Sequence, residues 1–180
     1  MAAKKCLKVE ALLLLRYTAV SNIFPAEDFC STMEDQDIRV RAIGLLSRRE
    51  HSLKELQQKL LAKGADPDAL KPVLEWVVAE NYQSDQRYCE MLVRNRCDAG
   101  YGMMRIRQEL SVKGIDRELA GEVLESLQPD WCDIAYQQLL KRFGENWQVG
   151  HDARKVQAFL ARRGFDSSQV KVAMHRQQDW

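Results

Sequence analysis

No apolar stretch in this chain is longer than Ala11-Leu12-Leu13-Leu14-Leu15. A spanning helix needs roughly 18 such residues, so a helical membrane protein is excluded. Lys4, Lys5 and Lys8 precede that run as in a secretion signal, but Glu10 and Arg16 bracket it and it is too short for a signal's apolar core. The five cysteines, Cys6, Cys30, Cys89, Cys97 and Cys132, include no CxxC pair. That argues against a disulfide framework or a structural zinc site and fits reduced thiols in a cytoplasm. Neither sign of charge is in excess: 27 basic against 26 acidic side chains leave a formal +1, so a partner that needs a basic surface must meet a local patch. With 46% hydrophobic and 29% charged residues, nine Gly and four Pro in 180 positions, the composition is that of a folded protein with room for a sizeable core.

Catalytic signatures are equally scarce. There is no G-x-x-x-x-G-K-S/T phosphate loop, and Gly100-Tyr101-Gly102 lacks the third glycine and the preceding strand of a dinucleotide fingerprint. The three histidines, His51, His151 and His175, show no HxxxH or HxxE spacing, so no metal is expected. Cys89 and Cys97 read as small packing residues rather than nucleophiles, and the tryptophans Trp76, Trp131, Trp147 and Trp180 as core or inter-unit packing. No paired-carboxylate site is visible. The reading is a protein without catalytic residues, cofactor or small-molecule substrate.

What the chain does contain is an internal period of 50 residues. Leu53, Leu56 and Leu60 recur as Met103, Ile106 and Leu110, and again as Ala153, Val156 and Leu160. That i, i+3, i+7 spacing places each trio on one helical face. Ser52, Gly102 and Asp152 stand where each helix needs its N-cap, and Ser52 with Glu55 has the form of a capping box. His51, Tyr101 and His151 precede them, placed to staple onto Leu56, Ile106 and Val156. Gly64, Gly114 and Gly164 suit the left-handed residue that closes a helix, and Lys63, Lys113 and Arg163 beside them favour its dipole. Asp66, Asp116 and Asp166 follow as second N-caps, each before another apolar face. A third amphipathic stretch precedes each glycine-closed helix: Ile38 to Leu46, Tyr88 to Leu92 and Cys132 to Phe143.

No segment alternates as a strand does, so the expected fold is all-α: three tandem three-helix repeats in an elongated, curved array, of either hand. Polar breaks near Gln83-Ser84-Asp85 and Gln128-Pro129-Asp130 divide it into units at 37–83, 84–129 and 130–180. Residues 1–36 fall outside the pattern and read as a poorly structured leader, with Met33 as the expected natural start of translation. Such an array suits a groove better than it encloses a pocket.

Basic side chains cluster in the later units: Arg87, Arg94, Arg96, Arg105, Arg107 and Lys113, then Lys141, Arg142, Lys155, Arg162 and Arg163. They read either as a solvated face or as a surface for an acidic protein or for phosphates. Tyr101 and Gly102, with Gly64, Gly114 and Gly164, read as structural turns that set angles between helices.

Leu45-Leu46-Ser47-Arg48-Arg49-Glu50-His51-Ser52-Leu53-Lys54-Glu55-Leu56 resembles the RecX family of bacterial regulatory proteins. So does Gly100-Tyr101-Gly102 leading into Ile106-Arg107-Gln108-Glu109-Leu110 and Lys113-Gly114-Ile115. Asp130-Trp131-Cys132, Lys141-Arg142-Phe143-Gly144 and Phe159 to Phe165 look like the family's third repeat, so that the resemblance runs over about residues 37–176. It implies a cytoplasmic, monomeric, non-enzymatic protein that binds the RecA filament on single-stranded DNA and modulates its recombinase, ATPase and co-protease activities. Arg94, Arg96, Arg105, Arg107, Lys113, Lys141, Arg142, Lys155, Arg162 and Arg163 are then the expected contact residues. Two other classes stand beside it: a helical module that binds single-stranded nucleic acid directly, and a hydrolase or thiol enzyme using Cys89 or Cys97.

Overall fold

The computed structural model describes residues 33–150 and 152–176. The leader up to residue 32, with Cys6 and Cys30, and also His151 and Trp180, lie outside the described residues. Among the described residues there are ten helical segments and no strand. They are α1 (Met33–Leu46), α2 (Leu53–Ala62), α3 (Pro67–Ala79), α4 (Asp85–Asp98), α5 (Met103–Val112), α6 (Arg117–Leu127), α7 (Trp131–Phe143), α8 (Trp147–Gly150), α9 (Ala153–Arg162) and α10 (Ser167–His175).

Two elements depart from the sequence reading. Helix α1 starts at Met33, four residues ahead of the periodic stretch, because Met33 to Gln36 include no glycine or proline to stop it. The four-residue α8 has no counterpart in the other units and buries Trp147 in the third core.

The hydrophobic side chains gather into three separate clusters, one for each turn of the 50-residue period. The first holds Ile38, Ala42, Leu56, Leu60, Leu70, Val73 and Val77. The second holds Tyr88, Cys89, Leu92, Val93, Ile106, Leu110, Val123 and Leu124. The third holds Ala135, Tyr136, Leu139, Val156, Leu160, Phe165, Val170 and Met174. Of the nine aligned apolar positions only Ala153 is exposed, since a methyl group at the first turn of α9 is too short to reach the core that Val156 and Leu160 fill. Trp131, at the start of α7, packs back onto the second cluster and ties it to the third unit.

The ends of α2, α5 and α9 are alike in detail. Gly64, Gly114 and Gly164 have φ of 85°, 81° and 92°. The next residue's N–H returns to the helix, from Ala65 to Leu60 O, Ile115 to Leu110 O and Phe165 to Leu160 O. Each glycine N–H bonds the carbonyl three residues back, completing a Schellman motif. The residue after the glycine is in every case buried beside the last core leucine. The helices that follow begin on Asp66, Asp116 and Asp166, whose carboxylates accept backbone N–H groups; only Asp166, with Gln169, closes a full capping box.

The Schellman motif leaves the carbonyl of the cap residue itself unused, and that carbonyl joins the units. The Ser52 hydroxyl, at the start of α2, donates to Lys113 O at 2.8 Å. At the equivalent position the Gly102 N–H donates to Arg163 O at 2.8 Å, and the Met104 N–H to Gly164 O at 3.1 Å. The positive end of α2 thus meets the negative end of α5, and that of α5 meets that of α9, so the helix dipoles reinforce the contact.

Only glycine permits the second joint. A Cβ on Gly102 would lie 2.3 Å from Gly164 O, and one on Gly164 would lie 2.6 Å from both the backbone N and the Cβ of Arg105. Gly102→Ala is therefore expected to destabilise the protein by about 1–3 kcal/mol, as forced overpacking does. Gly44→Ala meets nothing within 4 Å on helix α1. It is expected to stabilise by about 0.5–1 kcal/mol through lost chain entropy. Chemical unfolding of the two variants checks the opposite signs.

Candidate functional site

The joints bring together four of the basic residues of the sequence reading, Arg87 and Lys113 at the first and Arg105 and Arg163 at the second, and the two differ in chemistry. At the first, Glu55 is the hub. Its carboxylate, 9% exposed, lies 2.6 Å from Arg49, 3.4 Å from Lys59 and 3.8 Å from Lys113. The expected capping box is only half made: Glu55 N–H donates to Ser52 Oγ at 3.1 Å, while the Glu55 side chain is drawn away to the cations. Charge-assisted bonds to a guanidinium outweigh one to a backbone N–H, which explains the departure. Around this hub, Asp85 Oδ1 accepts from Leu53 N–H at 2.9 Å and from Gln83 at 2.8 Å. Arg87 pairs with Glu50 at 2.8 Å, and the Lys54 ammonium donates to Val112 O at 3.1 Å.

Burial opposes ionisation of Glu55, yet the hydrogen bond from Arg49, the approach of His51 and the charges of Lys113 and Arg49 prevail and hold its pKa at about 2. His51 is buried, its Nδ1 3.3 Å from Glu55 Oε2 but without a satisfactory hydrogen bond. Burial first, and then Arg49, lowers its pKa below the ordinary 6.5, so the ring is neutral at physiological pH.

At the second joint the period puts Arg105 where the first has Glu55, Tyr101 where it has His51, and Arg163 where it has Lys113. The Arg105 guanidinium carbon lies 4.7 Å from the Tyr101 ring centroid and that of Arg163 lies 5.5 Å from it. Arg163 also donates to Ala99 O at 3.1 Å and to Gly100 O at 3.2 Å, and lies 5.0 Å from the Phe159 ring centroid. Neither guanidinium has a carboxylate in ion-pair contact among the described residues.

The remaining candidates divide by whether the fold already uses them. Arg96 makes a two-pronged contact with Glu109 at 2.6 and 2.7 Å, and that hydrogen bond lowers the Glu109 pKa. Arg94 reaches Glu90 at 3.5 Å, and Lys113 belongs to the Glu55 cluster. Arg107, Lys141, Arg142, Lys155 and Arg162 are exposed and form no ion pair among the described residues. Of the glycines read as turns, Gly102, Gly114 and Gly164 sit at joints, whereas Gly64 has open space around it. The 50-residue alignment revealed the repeated positions, but the hub role of Glu55 depended on Arg49 and Lys113, which no local spacing connects.

The thiols are poorly placed for chemistry. Burial, followed by the charges of Glu90 and Asp85, pushes the Cys89 thiol up to about 11, and burial also raises Cys97 and Cys132. Thiolate formation at neutral pH is correspondingly disfavoured. Among the described residues no group of three or more His, Cys, Asp or Glu side chains could hold a metal ion, and no helix is long and apolar enough to cross a membrane.

Comparison with known proteins matches two stretches of the chain to family models: "RecX, first three-helix domain" over residues 39–76 and "RecX, second three-helix domain" over residues 84–124. Over 134 residues the chain is 42% identical to the regulatory protein RecX of Xanthomonas oryzae pv. oryzae, covering 74% of this chain and 84% of that protein. Over 133 residues it is 43% identical to the regulatory protein RecX of Chromohalobacter salexigens, covering 74% and 88%. The crystal structure of RecX from Lactobacillus salivarius superposes with a TM-score of 0.68 at 20% identity, over 78% of this chain and 94% of that one. Another crystal structure of a regulatory protein RecX gives 0.69 at 23% identity, over 79% and 72%. These two likenesses establish the fold.

The Glu55 hub makes the stability of the first joint depend on pH. Its folded pKa of about 2 lies below the ordinary 4.5. The folded state therefore holds fewer protons than the unfolded chain between those values, and the contribution of Glu55 is complete above about 4.5 and lost as pH falls toward 2. His51, also shifted down, changes stability in the same direction, beginning below 6.5. Glu55→Gln should lower stability at neutral pH by up to about 3 kcal/mol. In urea unfolding at stepped pH the gap to the unaltered protein should close near pH 2; a gap constant with pH would refute the hub.

Proposed function

Because the chain belongs to the RecX family, we propose that it is a non-enzymatic, cytoplasmic regulator that binds the RecA filament on single-stranded DNA and restrains its strand exchange, ATP hydrolysis and co-protease activity in the SOS response. It acts as a monomer without cofactor or small-molecule substrate, through units at 37–83, 84–129 and 130–180. The observation that carries this reading is the set of cations on the second and third units that the fold leaves unneutralised: Arg105, Arg107, Lys141, Arg142, Lys155, Arg162 and Arg163. Cations already committed to carboxylates, as Arg96 is, make poor recognition groups, because a partner would first have to displace the internal ion pair. On a chain with formal charge +1, cations concentrated in the later units can steer an acidic polymer toward them. Arg94 and Lys113 stand at its edge, each partly satisfied within the chain.

The test is a titration of RecA's ATPase activity on single-stranded DNA. Added protein is expected to depress the rate, with the midpoint rising as salt rises. The double reversal Arg105→Glu with Arg107→Glu should move that midpoint upward by about tenfold, which corresponds to roughly 1.4 kcal/mol, while far-ultraviolet circular dichroism stays unchanged. An unaltered ATPase rate at saturating protein would dismiss the proposal, and an unaltered midpoint in the variant would remove this surface from it.

A further inference from the structure

The two joints share one backbone plan and differ in how charge is balanced. At the first, Arg49, Lys59 and Lys113 share Glu55, Arg87 has Glu50, and Lys54 bonds the Val112 carbonyl. At the second, Arg105 replaces the carboxylate by a cation. The charge of Arg105 reaches Glu109 and helps to lower its pKa, but Arg96 already bonds both Glu109 oxygens. Two guanidiniums thus lie against one tyrosine ring. The backbone of Gly164, next to Arg163, packs closely on Arg105, since a Cβ there would lie 2.6 Å from the Arg105 N. Like charges brought together repel, and here the ring faces and the Ala99 and Gly100 carbonyls restrain them. Around this joint the guanidiniums outnumber the carboxylates, which favours a further anion.

We infer that the joint between the second and third units, formed by Tyr101, Arg105 and Arg163, is a seat for a phosphate oxyanion supplied from outside the chain. The inference rests on the reading of the basic surface given above and narrows it to a chemical class and a place. Guanidiniums suit the ligand, since their planar forks match phosphate oxygens. Tyr101 and the Arg163 hydrogen bonds fix the pair before binding, so less side-chain freedom is lost when the anion arrives. The phosphate can come from a polynucleotide backbone or from free phosphate, and the same two groups would read either.

The experiment uses the full chain without RecA. Inorganic phosphate, compared with chloride at matched ionic strength, should raise the melting temperature, and a short fluorescent oligothymidylate should bind with an affinity that falls as salt rises. Arg105→Glu puts back the carboxylate that the first joint has, so it should fold and yet bind oligothymidylate at least about tenfold more weakly, with the phosphate shift gone. Arg105→Gln should show the same loss if the reversal proves unstable. Arg48→Glu, an exposed change of equal charge on the first unit, serves as the control and should bind normally. A phosphate response that depends on Arg105 without oligothymidylate binding would identify free phosphate as the ligand. Responses to both probes that are indifferent to Arg105, or no response to either, would overturn the seat. RecA inhibition measured on the same preparations separates the two readings: inhibition without an Arg105-dependent anion response sinks the seat alone, and an anion response without inhibition sinks the proposed function alone.

Discussion

A single kind of hydrogen bond organises this protein: the cap carbonyl that a Schellman motif leaves over accepts a donor from the start of the preceding unit's middle helix. A helix end has more acceptors than its own chain can satisfy, and burying such an end against a neighbour is tolerable only when the surplus finds partners. Here α5 and α9 offer the surplus and α2 and α5 supply the donors. The three cores contribute the bulk of the burial, yet they are separate and would permit many relative arrangements. The joint bonds, short and directional, select among them.

The fold was readable because every signal it needed was local and came three times. Ser52 and the three aspartates mark helix starts, three glycines mark stops, and the apolar residues between them keep a helical spacing. Repetition turned weak single signals into a firm pattern. Where the reading fell short, the cause was tertiary. Ala153 occupies a core position in the pattern but is too small to fill it. Glu55 has the spacing of a capping residue, yet cations from α5 and from the turn before α2 claim its carboxylate. The short α8 depends on Trp147 finding the third core, which nothing within four residues announces.

The site was legible as a composition and not as a geometry. Counting arginines finds the candidate basic residues but cannot separate Arg96, locked onto Glu109, from Arg105, which rests on a ring. The distinction matters because an internal ion pair withdraws a cation from recognition even when it remains partly exposed. Aligning the units on their 50-residue period recovers part of it, since the contrast between Glu55 and Arg105 is visible in the sequence once position 55 is known to lie at a joint.

The two joints also differ in the level of structure that builds them. The first is stitched largely by side chains, a hydroxyl, an ammonium and a shared carboxylate, whereas the second runs from main chain to main chain through Gly102 and Gly164. Side-chain stitching can be rewritten by compensating exchanges, so a change at position 52, 55 or 113 can be offset at another of the three. The main-chain clasp has no such currency of exchange. Its two glycines form a fixed clasp that no exchange of side chains elsewhere can replace.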